Sequence, residues 1–147
     1  PLIELSLRAW EPIFQSLEAI IQPAVYAEFY PEGWQKSQKE TVTAALNSDE
    51  MQSWIGMENG RLMGYVTLKF DHESKMGEIY LIAVDPDLQG KGWGTRLTEF
   101  GLEKLKEEGM ILAMVETGGD PGHAPARKAY EKSGFHLLPI ARYFKRL

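Results

Sequence analysis

The run QGKGWGT, residues 89–95, sets three glycines on alternate positions, holds a lysine among them and closes on a threonine. Glycine inside regular structure costs about 0.5–1 kcal/mol relative to alanine, so such a cluster implies that something approaches the backbone closely. An apolar strand stands directly before it. A helix that opens here presents N–H groups without intrahelical acceptors, together with the positive end of its dipole. Those two features make an anion site. Gly90, Gly92 and Gly94 leave room for a phosphate, Lys91 adds charge, and Thr95 can cap the helix or donate its hydroxyl. Two phosphate motifs fail on inspection. A P-loop needs G-x-x-x-x-G-K-[ST], and neither Gly90 nor Gly92 starts one. A G-x-G-x-x-G fingerprint would end at Thr95 or Leu97, and neither is glycine. What survives is Q-x-x-G-x-G from Gln89 to Gly94, after AVDP.

The elements that must hold this loop can be read from periodicity and turn residues. IELSLRAW alternates and reads as a first strand. Pro12 opens a helix carrying Ile13, Leu17, Ile20 and Ile21, which Pro23 interrupts. The aromatic stretch 24–34 ends in a Pro-Gly loop, and SQKE (37–40) is a capping box for a helix through Leu46. MQSWIGM and RLMGYVTLKF are strands around the hairpin signal ENGR, and MGEIYLIAV is a third strand. A helix over 94–108 stops at Gly109, and ILAMVE (111–116) is a short apolar strand suited to a buried parallel pairing. A helix over 125–133 ends at Gly134, and FHLLP and ARYFKRL read as two closing strands. The order is β-α-α-β-β-β-α-β-α-β-β, a mixed α+β architecture.

Composition bounds the function. The chain has 147 residues, 44% apolar and 25% charged, a formal charge of −5 and no cysteine. The length suits one domain, residues 1–147. Without cysteine there is no disulfide, zinc-thiolate site or cysteine nucleophile. His72, His123 and His136 show no metal-ligand spacing, so no metal is expected. The acidic balance lacks the basic footprint of a nucleic-acid binder. No signal peptide or membrane-length apolar run is visible, so the expectation is a cytoplasmic enzyme or binding module without a membrane partner.

The Q-x-x-G-x-G loop after AVDP resembles the acetyl-coenzyme A pyrophosphate loop of the GNAT family of N-acetyltransferases. ARKAYEKSGF (126–135) resembles that family's second cofactor segment, a helix with alanine, then tyrosine four residues on, then Gly-Phe. The resemblance runs from the first strand to ARYFKRL. It implies a mostly antiparallel central sheet flanked by helices, with a splayed parallel strand pair forming the cofactor cleft. It also implies an N-acetyltransferase that moves acetyl from acetyl-coenzyme A to a primary amine on a small molecule, peptide or protein. No covalent intermediate is expected, and the family is compatible with a homodimer. The alternatives in other classes are a non-catalytic acyl-coenzyme A sensor and a phosphate-binding module.

Through the resemblance, individual residues acquire roles. Cofactor contacts fall to Ile82, Ala83 and Val84 on the strand, to Gln89, Gly90, Lys91, Gly92, Trp93, Gly94 and Thr95 in the loop, and to His123, Ala126 and Tyr130 on the second helix. The backbone N–H at about Ile82 is the oxyanion donor, and Ala83 and Val84 hold the pantetheine arm. Family members often carry asparagine where His123 stands, so His123 either takes over a pantetheine contact, caps the helix or handles a proton. An alkylammonium with a pKa near ~10.4 must lose a proton before it attacks, and the leaving thiolate must be stabilised. Glu78 opens the third strand, shares a face by period two with Tyr80, Ile82 and Val84, and is the candidate base, direct or through water. Tyr130 is the candidate acid. Phe29, Tyr30 and Trp34 are candidates for the acceptor pocket.

Overall fold

The computed structural model describes residues 1–147, and its first departure from the sequence pattern lies at the start. Leu2–Ile20 form one long helix, α1, where a strand followed by a helix is expected. The apparent alternation of IELSLRAW is part of a wider helical stripe. Leu5 and Phe14 are buried, and Leu2, Ile3, Ala9 and Trp10 pack against the same cluster as Leu5. Spacings of three and four residues put Leu2, Leu5 and Ala9 on one side of a helix. Burial of that side against Tyr65, Leu81 and Ala83 decides for helix over strand. Pro12 sits inside α1 on its solvent side, where the lost backbone bond is least disruptive.

Pro23 starts α2 (Pro23–Phe29) as its first residue, and Trp34–Leu46 form α3. Gly33, at φ 89°, is the N-cap of α3, so Ser37 lies inside the helix rather than opening it. The sheet has four strands in the order β1 (Met51–Glu58), β2 (Arg61–Asp71), β3 (Met76–Val84) and β4 (Leu112–Val115). Asn59 and Gly60 turn β1 into β2 with φ of 49° and 75°, as the Asn-Gly signal requires. β1–β2 and β2–β3 are antiparallel and β3–β4 is parallel. The crossover between β3 and β4 is α4 (Trp93–Glu107). Leu97 and Leu105 of α4 pack on Val66, Leu68 and Ile79 of the sheet, and α1 and α3 cover the opposite face.

Two features of β3 prepare the site. Thr67 pairs with Leu81 and Leu68 with Ile79, so Tyr80 is an extra residue, a β-bulge. The parity of side chains changes across it. Ile79 on one side and Ile82 and Val84 on the other all lie toward α4, while Leu81 and Ala83 turn to α1 and α3. Glu78, paired with Lys69, therefore shares the face of Leu81 and Ala83, and not that of Ile82 and Val84 as strict alternation predicts. The second feature is that β4 pairs with β3 only from Met76 to Ile79. From Tyr80 to Val84 the strands are parted.

The last helix, α5 (Ala124–Lys132), ends as Gly134 predicts. Gly134 takes φ 92°, and the N–H groups of Gly134 and Phe135 return to the carbonyls of Glu131 and Tyr130. Phe135 then packs edge-on against Tyr130. The two closing strands expected at FHLLP and ARYFKRL do not form: residues 133–147 hold no strand, and past Phe135 their backbone joins no ladder. Pro139, the last residue of FHLLP, supplies no N–H, and the segment is tied instead by side chains. Phe144 packs on Phe29, and Arg146 pairs with Glu28 at 3.0 Å. No helix is long and apolar enough to cross a membrane.

Gly64 measures how closely β2 and β3 are fitted under α4. A Cβ there would lie 2.5 Å from the Ala83 carbonyl oxygen and 2.8 Å from Leu97 Cδ1. Gly64→Ala is expected to lower stability by about 1–3 kcal/mol, the usual cost of overpacking. Urea unfolding read by circular dichroism checks it; an unchanged midpoint would show that the two strands can part at this point.

Candidate active site

The glycine run leads into α4, and two of its glycines are needed for backbone conformation. Gly90 and Gly92 take φ of 77° and 85°, the left-handed region that side-chain-bearing residues avoid. No protein atom lies within 4 Å of the position a Cβ would occupy at either. Gly92 is the N-cap of α4, and no side chain caps the helix, so Thr95 does not serve as the cap. The first backbone bond into the helix runs from Arg96 N–H to Gly92 C=O. The N–H groups of residues 90–95 precede it and have no acceptor in the chain. Gln89 and Lys91 are exposed at the rim. The Trp93 side chain is buried with Met63 and Leu88 and stacks under Arg96 at 4.1 Å, so only its backbone is offered to a ligand. These donors form an anion cradle at a helix N-terminus.

The parted half of β3 runs up to this cradle. Asp85 N–H donates to the Met63 carbonyl on β2 at 2.8 Å. Alternation then turns the Ala83 and Leu81 backbone toward β2 as well, and the Val84 and Ile82 N–H groups to the side that β4 has left. Ile82 and Val84 thus offer the free backbone expected of them, while Ala83 gives its backbone to β2 and its side chain to the core.

His123 is the N-cap of α5. Ala126 and Tyr130 follow three and seven residues on, so the three share one helical face. Burial pushes the Tyr130 hydroxyl up to about 12. His123 is only 8% exposed, and its Nδ1 meets the Oδ1 carboxylate oxygen of Asp120. The other oxygen of Asp120 accepts from Ser16 Oγ of α1 at 2.7 Å and from Gly122 N–H at 3.1 Å. Burial alone would raise the Asp120 carboxyl, but the bonds from Ser16 and His123 outweigh it and hold the group below the usual carboxylate range. Arg127 fixes the same loop by donating to the carbonyls of Gly118 and Asp120.

Glu78 lies below the bulge. Burial raises its carboxyl, the neighbouring Lys69 lowers it, and Glu116 raises it again, with a net upward shift. Glu116 follows the last residue of β4, on the face of Met114, the partner of Glu78. The glycine loop follows the free end of β3, and Glu116 stands beside Glu78 at the lower end of the same strand. The aromatic trio packs with other rings. Trp34 stacks on Phe14 at 4.6 Å, Tyr30 meets Phe14 edge-on at 5.3 Å, and Phe29 receives Phe144.

Sequence reading also passes over Asp85. This buried carboxylate accepts from Arg8 at 3.2 Å and from Arg61 at 3.1 Å, and both arginines also reach Asp87. It caps the 3-10 turn Pro86–Leu88 that leads into the glycine loop. Asp120 caps a second such turn, Pro121–His123. The visible signal is an Asp-Pro dipeptide at both places, with aspartate at the N-cap and proline in the first turn.

Residues 22–135 match the model of the Acetyltransferase (GNAT) family, and the chain belongs to that family. Among curated proteins it is similar to a mycothiol acetyltransferase of Saccharomonospora viridis, 32% identical over 139 residues, covering 84% of this chain and 44% of that protein. The match to the mycothiol acetyltransferase of Actinosynnema mirum is 31% identical and covers 89% and 44%. The chain thus spans about half the length of the curated relatives it matches. Among solved structures, the fold is similar to that of the PaiA N-acetyltransferase of Thermoplasma acidophilum in complex with coenzyme A, with TM-score 0.67, 14% identity and coverage of 95% and 84%. It is also similar to the ribosomal-protein-S18-alanine N-acetyltransferase of Escherichia coli, with TM-score 0.62, 24% identity and coverage of 71% and 64%.

Gly92→Val is the sharpest test of the cradle. It combines φ of 85° with a branched side chain at the mouth of the N–H groups. The dissociation constant for coenzyme A, by calorimetry, is expected to rise at least 10-fold while thermal stability falls modestly. Unchanged binding would show that these N–H groups do not hold the ligand.

Proposed function

We propose that this chain transfers an acetyl group from acetyl-coenzyme A to a primary amine, with both substrates bound together. One observation supports the reading most: the unpartnered N–H groups of residues 90–95 stand at the end of a strand whose Ile82 and Val84 N–H groups are also free. A diphosphate fits the first set, and an extended amide-bearing arm fits the second as an added strand. Coenzyme A carries both. Gly90, Lys91, Gly92, Gly94 and Thr95 hold the diphosphate with the backbone of Trp93, and Gln89 closes the rim. Ile82 and Val84 hold the arm, and Ala126 leaves room for it on α5.

The thioester supplies an activated acetyl group, and the chain supplies orientation and proton transfer. Ile82 N–H stabilises charge that develops on the carbonyl oxygen. Glu78 takes the ammonium proton, directly or through water. Its raised carboxyl suits this work, because a base must match the pH at which it operates. Tyr130 keeps its proton well above neutral pH and donates a hydrogen bond to the departing sulfur. The chain has no cysteine, and direct transfer needs none. The acceptor is an amine of a small molecule, peptide or protein, and the carboxylates Glu78 and Glu116 favour one that arrives as a cation.

Calorimetry with coenzyme A, followed by free-thiol release from acetyl-coenzyme A across a panel of amines, tests the reading. Saturable binding and amine-dependent release are expected. Binding without release for any amine would make this a regulatory acyl-coenzyme A module, and no binding would overturn the cofactor itself.

Tyr130→Phe keeps the ring against Phe135 and removes the donor. Its kcat is expected to fall roughly 10- to 1,000-fold, with coenzyme A affinity nearly unchanged. A wild-type kcat would remove Tyr130 from the chemistry.

The carboxylate pair gives a pH test with a definite sign. Glu78 acts when deprotonated, so kcat/KM rises through its titration. Glu116 adds negative charge and holds the Glu78 proton more tightly. Glu116→Gln is expected to move that acid limb to lower pH. Glu78→Gln is expected to lower kcat/KM at neutral pH roughly 100-fold or more, with recovery toward high pH where the amine is already free. A limb unmoved in Glu116→Gln and a wild-type rate in Glu78→Gln would assign the base elsewhere.

A further inference from the structure

The sheet face that α1 and α3 cover is closed over Tyr65, Leu81 and Ala83 and more open below them. Strand pairing sets Lys69 of β2, Glu78 of β3 and Met114 of β4 side by side there. Lys69, Glu78 and Met114 are half-buried, and Tyr80 and Glu116 are exposed. Alternation from Met114 places Glu116 on this face. The bulge leaves Tyr80 on it as well, since its ring meets the Lys69 ammonium. The floor thus carries two carboxylates, one ammonium, an aromatic ring and a thioether.

Lys69 is the charged group of this floor that the acetyl transfer described above does not use, and its place is fixed twice. Directly opposed residues of an antiparallel pair hold their Cβ atoms about 4.5–5.5 Å apart, which ties Lys69 to Glu78. Its Nζ lies 5.3 Å from the centre of the Tyr80 ring, within cation–π range. The lysine ion pairs of the chain belong to Lys36 and Lys104, so no carboxylate consumes the Lys69 charge. Asp71, next on this face of β2, turns its carboxylate to the N–H groups of Glu73 and Ser74. Lys69 nevertheless stands within electrostatic reach of the base: burial raises the Glu78 carboxyl, Lys69 lowers it, and Glu116 raises it. Two carboxylates and one ammonium leave the floor a single net negative charge.

We propose that Lys69 selects the acceptor by charge: the floor takes an amine with one positive charge and an apolar stem, and Lys69 turns away an acceptor that carries a second ammonium close to the first. This rests on the acetyltransferase reading above. The acceptor ammonium lies between Glu78 and Glu116, and its stem lies on Tyr80 and Met114. Three neighbouring strands span about 10 Å, and the Debye length at physiological salt is about 8 Å. A second ammonium on a short acceptor therefore stays within reach of Lys69. The acidic chain as a whole draws cations without counting their charges. Lys69 supplies the count at the point of reaction.

The test compares butylamine with 1,4-diaminobutane, which differ by one ammonium. Calorimetry on the complex of the whole chain with coenzyme A reads their binding without turnover, and thiol release from acetyl-coenzyme A reads kcat/KM. The wild type is expected to favour the diamine by no more than the statistical advantage of its two equivalent ends. Lys69→Met keeps the length of the stem and removes the charge. The diamine is then expected to gain roughly 3- to 10-fold over butylamine at low salt, the size of one charge contact across a half-exposed site. That gain is expected to vanish near 1 M salt, where the Debye length falls to about 3 Å. Lys69→Arg is expected to keep the wild-type preference. An unchanged ratio of the two amines in Lys69→Met overturns the proposal, and so does a gain that survives high salt, which would be a change of shape. A wild type that strongly prefers the diamine, or whose coenzyme A complex does not bind butylamine, overturns it as well. Failure of coenzyme A to bind, or of every amine to release thiol, is a separate result and would fall on the acetyltransferase reading.

Discussion

The parting of β3 from β4 is the constraint on which the site depends. A strand buried in a sheet uses both of its edges, and an unpaired buried N–H is costly. β3 escapes this at its upper half because β4 stops pairing at Ile79. One extra residue, Tyr80, accompanies the change. It reverses side-chain parity, so that the lower half can seat Ile79 under α4 while the upper half seats Ile82 and Val84 there and Leu81 and Ala83 on the other face. The hydrophobic core thus remains continuous on both sides of a sheet that is open at the edge.

The same parting explains why the helix dipole is aimed usefully. A parallel pair demands a long crossover, and α4 is that crossover. It starts just after the free end of β3 because the chain turns back through two left-handed glycines within a few residues. The N–H groups at the start of α4 and the free N–H groups of β3 come from neighbouring stretches of chain. Gly101 lets the helix lie close on Leu68 and Val66, with Leu68 Cδ2 at 3.3 Å from the position of a Cβ. Cradle and edge are therefore held at a separation set by backbone packing and not by flexible side chains.

Much of this was legible in the sequence. The Asn-Gly hairpin, the long β3, the glycine-started α4 and the Gly134 stop are local signals, and each depends on a residue whose backbone preference is strong enough to prevail. The starts and stops of α4 and α5 could be placed because glycines flank both helices. What could not be read depends on partners distant in the chain. Helix α1 looked like a strand because Ile3, Leu5 and Leu7 alternate, and only the surface of Tyr65 and Leu81 reveals the helical stripe. The face of Glu78 was misjudged because a bulge leaves no mark in a run of apolar residues. The ring contacts of Phe14 with Trp34 and of Phe144 with Phe29 likewise join residues distant in the chain. The closing strands were expected from the local pattern, and the backbone past Phe135 joins no ladder.

The two Asp-Pro corners show why α1 has to be a helix. Asp85 stands at the entry to the glycine loop and Asp120 at the entry to α5, and both are buried. A buried carboxylate contributes little net stability, because desolvation offsets most of what its partners return. What it supplies is position, since removing any partner leaves a charge unsatisfied. Both corners draw a partner from α1: Arg8 reaches Asp85 and Ser16 reaches Asp120. Eight residues separate those partners, which is about 12 Å along a helix at 1.5 Å per residue. The same eight residues in a strand would span about 26 Å. The corners flank one cleft, and the shorter spacing lets a single rigid element grip both of its ends. α1 thereby sets the distance between the helix that carries the anion cradle and the helix that carries His123 and Tyr130.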